Sequence, residues 1–371
     1  MANQNNKIVS LVWYNILPAQ FGGQQAIVGF NEALGKQESL ICLCSKNNQP
    51  NGNESFTTYP ILPNNKWQFL NPITWWLIYS FCRREKATHL IVEHPYHVIA
   101  AWIVKTKMNV TIIHRSHNIE FERFKLLSKK YWRIIFYAEK WMCQIAKVNL
   151  FITKEDKSKA IKQFSIDGSK CLLLPHEINE KNISKKAPST EEIKAKYNIA
   201  NDNSVFLFNG TLDYEPNAKA VEYIAKFLIP ELNKIKPNFI FIITGRIENK
   251  SFDYLLQLAN NQLIFTGRVT NIEDYFLACD VYVNPVNMGG GIQTKTLEAL
   301  SYHLNVVCFK SMLNGIEVDL VKDKIFSVEY HNWKQFAEQI IEANLRKTTT
   351  PSAFFKYQNY DNHLPKFLEQ L

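Results

Sequence analysis

The chain has 371 residues, a formal net charge of +9 and 46% hydrophobic residues. That length and composition are sufficient for two ordinary domains, each with its own core. No segment reaches the ~20 uninterrupted apolar residues that a membrane-spanning helix needs, which excludes a chain that crosses the bilayer through such helices.

Short apolar runs typical of strands alternate with helical stretches, an order that predicts two doubly wound parallel sheets. In chain order the predicted strands are Ile8–Val12, Leu40–Cys44, Leu90–Val92, Val110–His114, Asn149–Ile152, Leu172–Leu174, Val205–Phe208, Phe239–Ile243, Leu263–Phe265, Val281–Asn284 and Val306–Phe309. The Asn/Pro-rich stretch 47–65 is predicted to be a surface loop. A polar, charged segment between Pro175 and Glu191 predicts the hinge between the domains.

Two motifs follow strands of the first half. Gly22 and Gly23 open an amphipathic helix after the first strand, where they either let an anion bind close to the backbone or form an ordinary turn. The segment HRSHNIEFERFK begins at His114, and we expect His117 to follow the strand while His114 is still on it. A neutral imidazole can donate or accept a hydrogen bond, so His117 is a candidate binding residue; the alternative is a turn partner of Asn118 or a helix cap.

Basic residues are concentrated in the first half, where residues 1–175 contain 22 Lys and Arg against 11 Asp and Glu. The densest part, Arg123 to Lys147, mixes these cations with aromatic residues and predicts an amphipathic basic helix. Two interpretations stay open: the helix rests on an anionic membrane surface, or it is a core helix with a solvated basic face. Nucleic acid is not expected as a partner, because no recognisable binding motif accompanies the charge.

The seven cysteines show no CxxC pair and no metal-ligand spacing, and the sequence contains no DxD carboxylate pair. We therefore expect reduced structural thiols, no metal site and no cofactor. The first residues show neither a basic region nor a long apolar run, so no signal peptide is expected. These features predict a cytoplasmic protein, with the basic helix allowing a place at the inner face of the membrane.

The segment from Ile264 to Lys310 carries the most specific pattern. A triple-glycine loop precedes a helix with Lys295 and Glu298 one turn apart on the same face. We expect the backbone N–H groups of Gly291, Ile292, Gln293 and Thr294 to converge at the positive end of the helix dipole, where an anion is favoured. Lys295 can add positive charge, and Glu298 can accept hydrogen bonds from sugar hydroxyls. The pattern suggests a nucleotide-sugar diphosphate site.

This order of elements resembles the C-terminal domain of retaining glycosyltransferases of the GT-B fold, family 4, and FLFNGTLDYEPNAKAVEYI from Phe206 resembles the opening of that domain. The resemblance implies two Rossmann-like, doubly wound domains facing across a cleft. Residues 1–176 would form the acceptor-side domain and 177–352 the domain that binds the donor. The C-terminal helix, about 353–371, would pack back on the first domain.

The resemblance also implies roles for individual residues. Glu298 would hold the ribose, the 290–295 loop with Gly290 and Lys295 would stabilise the departing diphosphate, and His117 would contact the transferred sugar. The remaining implied residues are Gly210 and Thr211 near the diphosphate, Arg268 at the base or a phosphate, and Gly22 and Gly23 in a loop of the first domain. One departure is that Gly290 stands where many members have the first glutamate of a Glu-x7-Glu pattern.

The resulting expectation is a metal-independent, retaining hexosyltransferase that uses a nucleoside-diphosphate sugar as co-substrate. Its acceptor would be a glycan or a lipid-linked sugar, in cell-surface polysaccharide biosynthesis. Two alternatives stay open: a nucleotide-sugar epimerase of the same fold, with Glu93, Glu120 or Glu122 as acid and base, and a degenerate protein that binds nucleotide without catalysis.

Overall fold

The computed structural model describes residues 6–19, 22–184, 186–288 and 292–371. The chain divides into two compact units. One consists of Met1–Glu177 together with Tyr357–Leu371, and the other of Ile178–Lys356.

A parallel sheet of seven strands forms the centre of the first unit. Its strands are β1 (Lys7–Val12), β2 (Ser39–Ser45), β3 (Thr57–Leu62), β4 (His89–Glu93), β5 (Thr111–Ser116), β6 (Val148–Phe151) and β7 (Cys171–Leu173). They lie in the order β3-β2-β1-β4-β5-β6-β7, and every described pairing is parallel. This is the doubly wound sheet that the alternating pattern predicted.

Helices cover both faces of this sheet, so the strands are apolar on both sides. The helices are α1 (Gly22–Gly35), α2 (Pro72–Arg84), α3 (Val98–Met108), α4 (Glu120–Leu126), α5 (Trp132–Ile145) and α6 (Lys154–Phe164). Successive side chains of a strand point to opposite faces. Accordingly, Ile8 and Val12 of β1 pack in one buried cluster while Val9 and Leu11 pack in another.

Two predictions for the first unit were wrong. Residues 57–62 were predicted to lie in a loop, but they form β3, which pairs with β2 at the edge of the sheet. Pro60 has no N–H group, and an edge strand tolerates it because only one side of that strand is paired. The stretch from Arg123 to Lys147 was predicted as one helix, but α4 ends at Leu126 and α5 begins at Trp132. Ser128 between them has a positive φ of 53°, which ends helical geometry.

The second unit is built on a parallel sheet of six strands. They are β8 (Ser204–Asn209), β9 (Phe239–Thr244), β10 (Leu263–Gly267), β11 (Val281–Asn284), β12 (Asn305–Phe309) and β13 (Ile325–Val328), in the order β10-β9-β8-β11-β12-β13. The sequence prediction missed β13, a short strand that pairs only with β12 among the described strands. Val205 and Leu207 face one core and Phe206 and Phe208 face the other.

The helices of the second unit begin with α7 (Lys186–Lys196) and α8 (Glu215–Tyr223), and a short π-helix (Ile224–Leu228) joins α8 to α9 (Ile229–Ile235). The remaining helices are α10 (Glu273–Ala278), α11 (Thr294–Ser301), α12 (Val318–Val321) and α13 (Trp333–Leu345). The two doubly wound parallel sheets expected from the sequence are therefore both present.

The C-terminal tail forms α14 (Ser352–Gln358), a 3₁₀ turn (Tyr360–Asn362) and α15 (Leu364–Leu368). A single helix was predicted there, but α14 ends at Gln358, because Asn359 is extended and its side chain accepts from the N–H of Asp361 to begin the 3₁₀ turn. Two short helices result. Tyr360, Leu364 and Phe367 are buried in the core of the first unit. Among the described residues, no helix is both long and apolar enough to cross a membrane.

Candidate functional site

Glycines gather at the carboxyl edge of the second sheet. The N–H of Gly210, after β8, donates to the carbonyl of Thr244 at 2.9 Å, and the N–H of Gly245 donates to the carbonyl of Gly267 at 3.0 Å. A Cβ atom at Gly245 would lie 1.9 Å from the carbonyl oxygen of Gly210. Neighbouring turns therefore approach each other more closely than any side chain allows, and ligands of doubly wound sheets bind at this edge.

Lys295, on the first turn of α11, reaches the turn after β8. Its Nζ donates to Oδ1 of Asn217 at 2.9 Å and lies 5.2 Å from the centroid of the Phe208 ring. A Cβ atom at Gly210 would stand 2.2 Å from this ammonium nitrogen. The ammonium group of Lys295 therefore lies over the backbone of Gly210, which carries no side chain. In this geometry a phosphate could approach both the ammonium group and that backbone.

Lys295 and Glu298 influence each other electrostatically. Burial lowers the pKa of Lys295 to about 8, and the charge of Glu298 opposes this shift. Burial raises the pKa of Glu298, while Lys181 and Lys295 lower it. Among the residues that the structure describes, no side chain or backbone group hydrogen-bonds the Glu298 carboxylate. The pair thus presents a desolvated cation and an acceptor that a ligand can use.

Asn217 holds this part of the site together and was not among the predicted site residues. Its Oδ1 accepts from Lys295, and its Nδ2 donates to the carbonyl of Thr211 at 2.8 Å. The Asn217 amide thereby connects the lysine to the turn after β8. The signal in the sequence was the Pro-Asn pair that begins α8, at Pro216 and Asn217.

The other predicted residues of this unit lie in different surroundings. Ile292, Gln293 and Thr294 stand at the start of α11, where the Gln293 carbonyl accepts from the N–H groups of Thr296 and Leu297. The prediction for the Thr294 N–H was wrong, because this group donates to the carbonyl of Ile292 at 3.0 Å and is not directed at an anion. Arg268 is exposed just after β10. Gly290 and Gly291 lie outside the described residues, so the structure does not place their backbone. Lys219 of α8, a basic residue near Gly210 and Thr211 in the sequence, forms an ion pair with Glu215 at 2.9 Å.

A second set of polar residues lies at the carboxyl edge of the first sheet. Nε2 of His117 is 2.5 Å from Oε2 of Glu93, and both side chains are buried. The guanidinium of Arg115 contacts the same carboxylate at 3.3 Å. His117 is therefore neither the partner of Asn118 nor a helix cap, since the residue before α4 is Ile119.

Burial keeps these imidazoles neutral. The pKa of His117 is lowered well below its usual range by burial, and the neighbouring His94 and Arg115 lower it further. Burial likewise lowers the pKa of His114 to about 4, and its Nδ1 lies 3.3 Å from Oδ1 of Asn149. His114 is on β5, as expected. Gly22 and Gly23 are the first residues of α1 and are half-buried.

Comparisons with known proteins agree with this architecture. Residues 203–344 match the family model described as glycosyl transferases group 1. No curated protein sequence matches the chain. The structure of HepE from Anabaena in complex with UDP is similar to this chain with a TM-score of 0.75 and 13% identity, over 98% of this chain and 100% of that one.

Two further solved structures are similar over nearly their whole length. A glycosyltransferase from Rickettsia africae has a TM-score of 0.68 at 15% identity, covering 98% of this chain and 97% of that one. A sucrose-phosphate synthase from Thermosynechococcus elongatus has a TM-score of 0.69 at 14% identity, covering 98% of each chain. At these identities the likeness shows the fold, and the fold is the expected GT-B fold.

Proposed function

We propose that this chain transfers a sugar from a nucleoside-diphosphate sugar to an acceptor. Residues 203–344 match the family model of glycosyl transferases group 1, which supports the proposal. The observation that carries the proposal is the contact of Lys295 with Asn217 over Gly210, beside the acceptor group of Glu298. The HepE structures in complex with UDP and with UDP-glucose support a nucleotide-sugar donor, since those ligands occupy a protein of the same fold.

In this proposal the donor lies at the carboxyl edge of the second sheet. Lys295 balances the charge that develops on the leaving diphosphate, and the backbone N–H groups of Ile292 and Gln293, just before α11, donate hydrogen bonds to it. Glu298 accepts from the ribose hydroxyls, and Arg268 contacts the base or a phosphate. The transfer requires no cofactor in this scheme, because Lys295 and the dipole of α11 stabilise the negative charge that a metal ion stabilises in other enzymes.

His117 is proposed to contact the transferred sugar, and the reaction is proposed to retain anomeric configuration, as the family resemblance implies. The proposed acceptor is a glycan or a lipid-linked sugar in cell-surface polysaccharide biosynthesis. What supports a membrane-associated acceptor is the outer face of α5, where Ile134 and Tyr137 are each 69% exposed beside basic residues. Trp132, Ile135 and Phe136 instead pack against the interior, so only part of the aromatic content is available to a surface.

A nucleotide-binding experiment tests the donor site. We expect one of UDP, GDP and ADP, or its sugar, to raise the melting temperature of the wild type selectively. Glu298→Ala should reduce that shift by removing the ribose acceptor, with a loss of about tenfold or more in affinity if one charged hydrogen bond of roughly 1.5–3 kcal/mol is lost. Glu338→Ala on α13 is the matched control, since Glu338 is half-exposed and only weakly paired with Lys334 at 4.0 Å.

The outcomes separate the candidate functions. Stabilisation by no nucleotide would contradict the proposed donor site. Binding without transfer to any acceptor would favour the degenerate protein. Formation of an epimeric nucleotide sugar in the absence of acceptor would favour the epimerase, for which the buried Glu93–His117 pair offers an acid and a base.

A vesicle experiment tests the surface on α5. We expect the protein to co-sediment with vesicles of phosphatidylcholine and phosphatidylglycerol, and to bind less as salt is raised. Ile134→Ser with Tyr137→Ser should reduce binding, because these side chains supply exposed apolar area. Leu345→Ser, at a 75% exposed position of the second unit, is the control. Equal binding to purely zwitterionic vesicles, or no effect of the double variant, would contradict this part of the proposal.

A further inference from the structure

The contact between Glu93 and His117 is built by two adjacent strands. Glu93 is the last residue of β4 and lies opposite Arg115 of β5 in the parallel register. His117 follows β5 directly, and its Nε2 approaches the Glu93 carboxylate to 2.5 Å. Both groups are at most 8% exposed. Because Glu93 ends one strand and His117 is the first residue after the neighbouring strand, the sheet fixes the positions of both residues.

Arg115 decides which partner carries the proton. Its Nη1 lies 3.3 Å from Oε2 of Glu93, and its Nη2 donates to the neutral oxygens of Ala26 and Tyr360. Within the described part of the chain, Glu93 is the only carboxylate that pairs with Arg115. A neutral Glu93 would leave a buried guanidinium without a counter-charge, which is costly. Burial raises the pKa of Glu93, and the charge of Arg115 acts against that shift. We infer from the contact with the buried guanidinium that Glu93 is in its carboxylate form, and a carboxylate can only accept.

The tautomer of His117 follows from that assignment. If Glu93 accepts, Nε2 of His117 must carry the hydrogen, and a neutral imidazole then has its lone pair on Nδ1. Nδ1 of His117 has no hydrogen-bond partner among the described residues. It is also not one of the fully buried polar atoms that lack a partner, so a ligand can reach it. The free nitrogen of His117 is thus an acceptor that remains accessible, and it suits a hydroxyl group rather than a phosphate oxygen.

His94 restrains the ring of His117 from one side. The two imidazoles are stacked with centroids 4.6 Å apart and an angle of 15° between their planes. His94 has φ 80° and ψ 154°, a conformation that glycine adopts readily and other residues rarely. Its Nδ1 lies 2.7 Å from the carbonyl oxygen of Glu93. A strained residue that stacks on His117 is consistent with a ring held in one orientation for a ligand.

We propose that Glu93 is a positioning residue that fixes His117 as the Nε2–H tautomer, so that Nδ1 accepts a hydrogen bond from a hydroxyl of the transferred sugar or of the acceptor. This inference rests on the proposed function for the identity of the ligand, but not for the tautomer. It also distinguishes His117 from Lys295: one recognises a neutral hydroxyl and the other an anion.

The tautomer can be measured without any substrate. In the full chain labelled with ¹⁵N-histidine, we expect His117 at pH 7 to show a protonated Nε2 and an unprotonated Nδ1, with the signal assigned by its loss in His117→Asn. Glu93→Gln should leave a mixture of tautomers, because an amide can both donate and accept. An Nδ1–H tautomer or an imidazolium in the wild type would overturn the inference, whatever the activity of the protein.

Activity then tests the accepting atom. An Asn side chain places an amide oxygen near the position of Nδ1, and a Gln side chain places one near Nε2. We expect His117→Asn to retain at least tenfold more kcat/KM than His117→Gln, and Glu93→Gln to lower kcat/KM at least tenfold without changing the thermal shift given by the nucleotide alone. Equal activity of Glu93→Gln and wild type would contradict the proposal.

The controls separate this inference from the proposed function. If no nucleotide raises the melting temperature of the wild type, the proposed donor site is refuted, but the result for the tautomer still stands. If Glu93→Gln does not fold, Glu93→Asp keeps the charge beside Arg115 and withdraws the carboxylate from His117 by one methylene. That variant should fold and show the same change in tautomer; an unchanged tautomer there would overturn the role of Glu93.

Discussion

Lys295 is a residue whose charge depends on burial. Its pKa is lowered to about 8 by burial, with Glu298 acting in the opposite direction. A bound diphosphate favours the charged form, so nucleotide binding should take up a proton when Lys295 is neutral beforehand. We expect the dissociation constant to be nearly constant below pH 7 and to rise by up to about tenfold per pH unit above pH 8.

Lys295→Arg supplies the control for this pH dependence. A guanidinium remains protonated throughout this range, so the rise above pH 8 should disappear even if the affinity at pH 7 falls. The measurement is calorimetric titration with the nucleotide found by thermal shift, between pH 6 and pH 9. The same rise with pH in both proteins would show that another group is responsible.

At the scale of single elements, the close approach of two turns in the second sheet predicts different effects for similar substitutions. A Cβ at Gly245 would meet the backbone of Gly210 at 1.9 Å, so Gly245→Ala requires the turns after β8 and β9 to separate. We expect a loss of about 1–3 kcal/mol in the free energy of unfolding, the usual cost of overpacking. Gly29→Ala on α1 meets nothing within 4 Å and should stabilise by roughly 0.5–1 kcal/mol, because alanine favours a helix. Urea unfolding of both variants measures the difference, and equal stabilities would contradict it.

Some helices and strands could be predicted from the sequence, and others could not. Strands buried on both faces, such as β1 and β9, are continuous apolar runs, so their existence and the doubly wound class could be predicted. Strand β3 was missed because it contains Pro60 and most of its residues are exposed or half-buried, and β13 because Ser327 interrupts a run of only four residues. The break between α4 and α5 was missed because the aromatic and basic residues continue across it.

In the candidate site too, some contacts could be predicted from the sequence and others could not. Lys295 and Glu298 share one helix, and their spacing already places them on one face. The contact of Lys295 with Asn217 joins α11 to α8, which are 78 residues apart in sequence, and no local pattern indicates it. Glu93 is the last residue of an apolar strand, and its link to His117 depends on β4 and β5 being neighbours. Such pairs become visible only when the order of the strands is known.

At the scale of the whole molecule, Tyr357–Leu371 belong to the first unit, although the second unit lies between them and the rest of it in the sequence. Phe367 is 1% exposed and packs near Phe30 with ring centroids 6.1 Å apart, and the Tyr360 hydroxyl accepts from Arg115 at 3.2 Å. The carbonyl of Leu371 also lies 3.1 Å from Nε2 of His89. The stability of the first unit should therefore depend on residues 357–371, which are separated from the rest of that unit by the whole second unit.

Phe367→Ala tests this dependence because it removes a buried ring from the tail alone. We expect a loss of about 3–5 kcal/mol in the free energy of unfolding, the usual range for Phe to Ala in a core. Tyr360→Phe keeps the ring and removes the hydroxyl that accepts from the charged Arg115, so it should cost less, about 1.5–3 kcal/mol. Limited proteolysis should cut Phe367→Ala first within residues 6–177, while nucleotide still protects the second unit. Cleavage that begins in the second unit, or a stability equal to that of Tyr360→Phe, would show that the tail does not hold the first unit together.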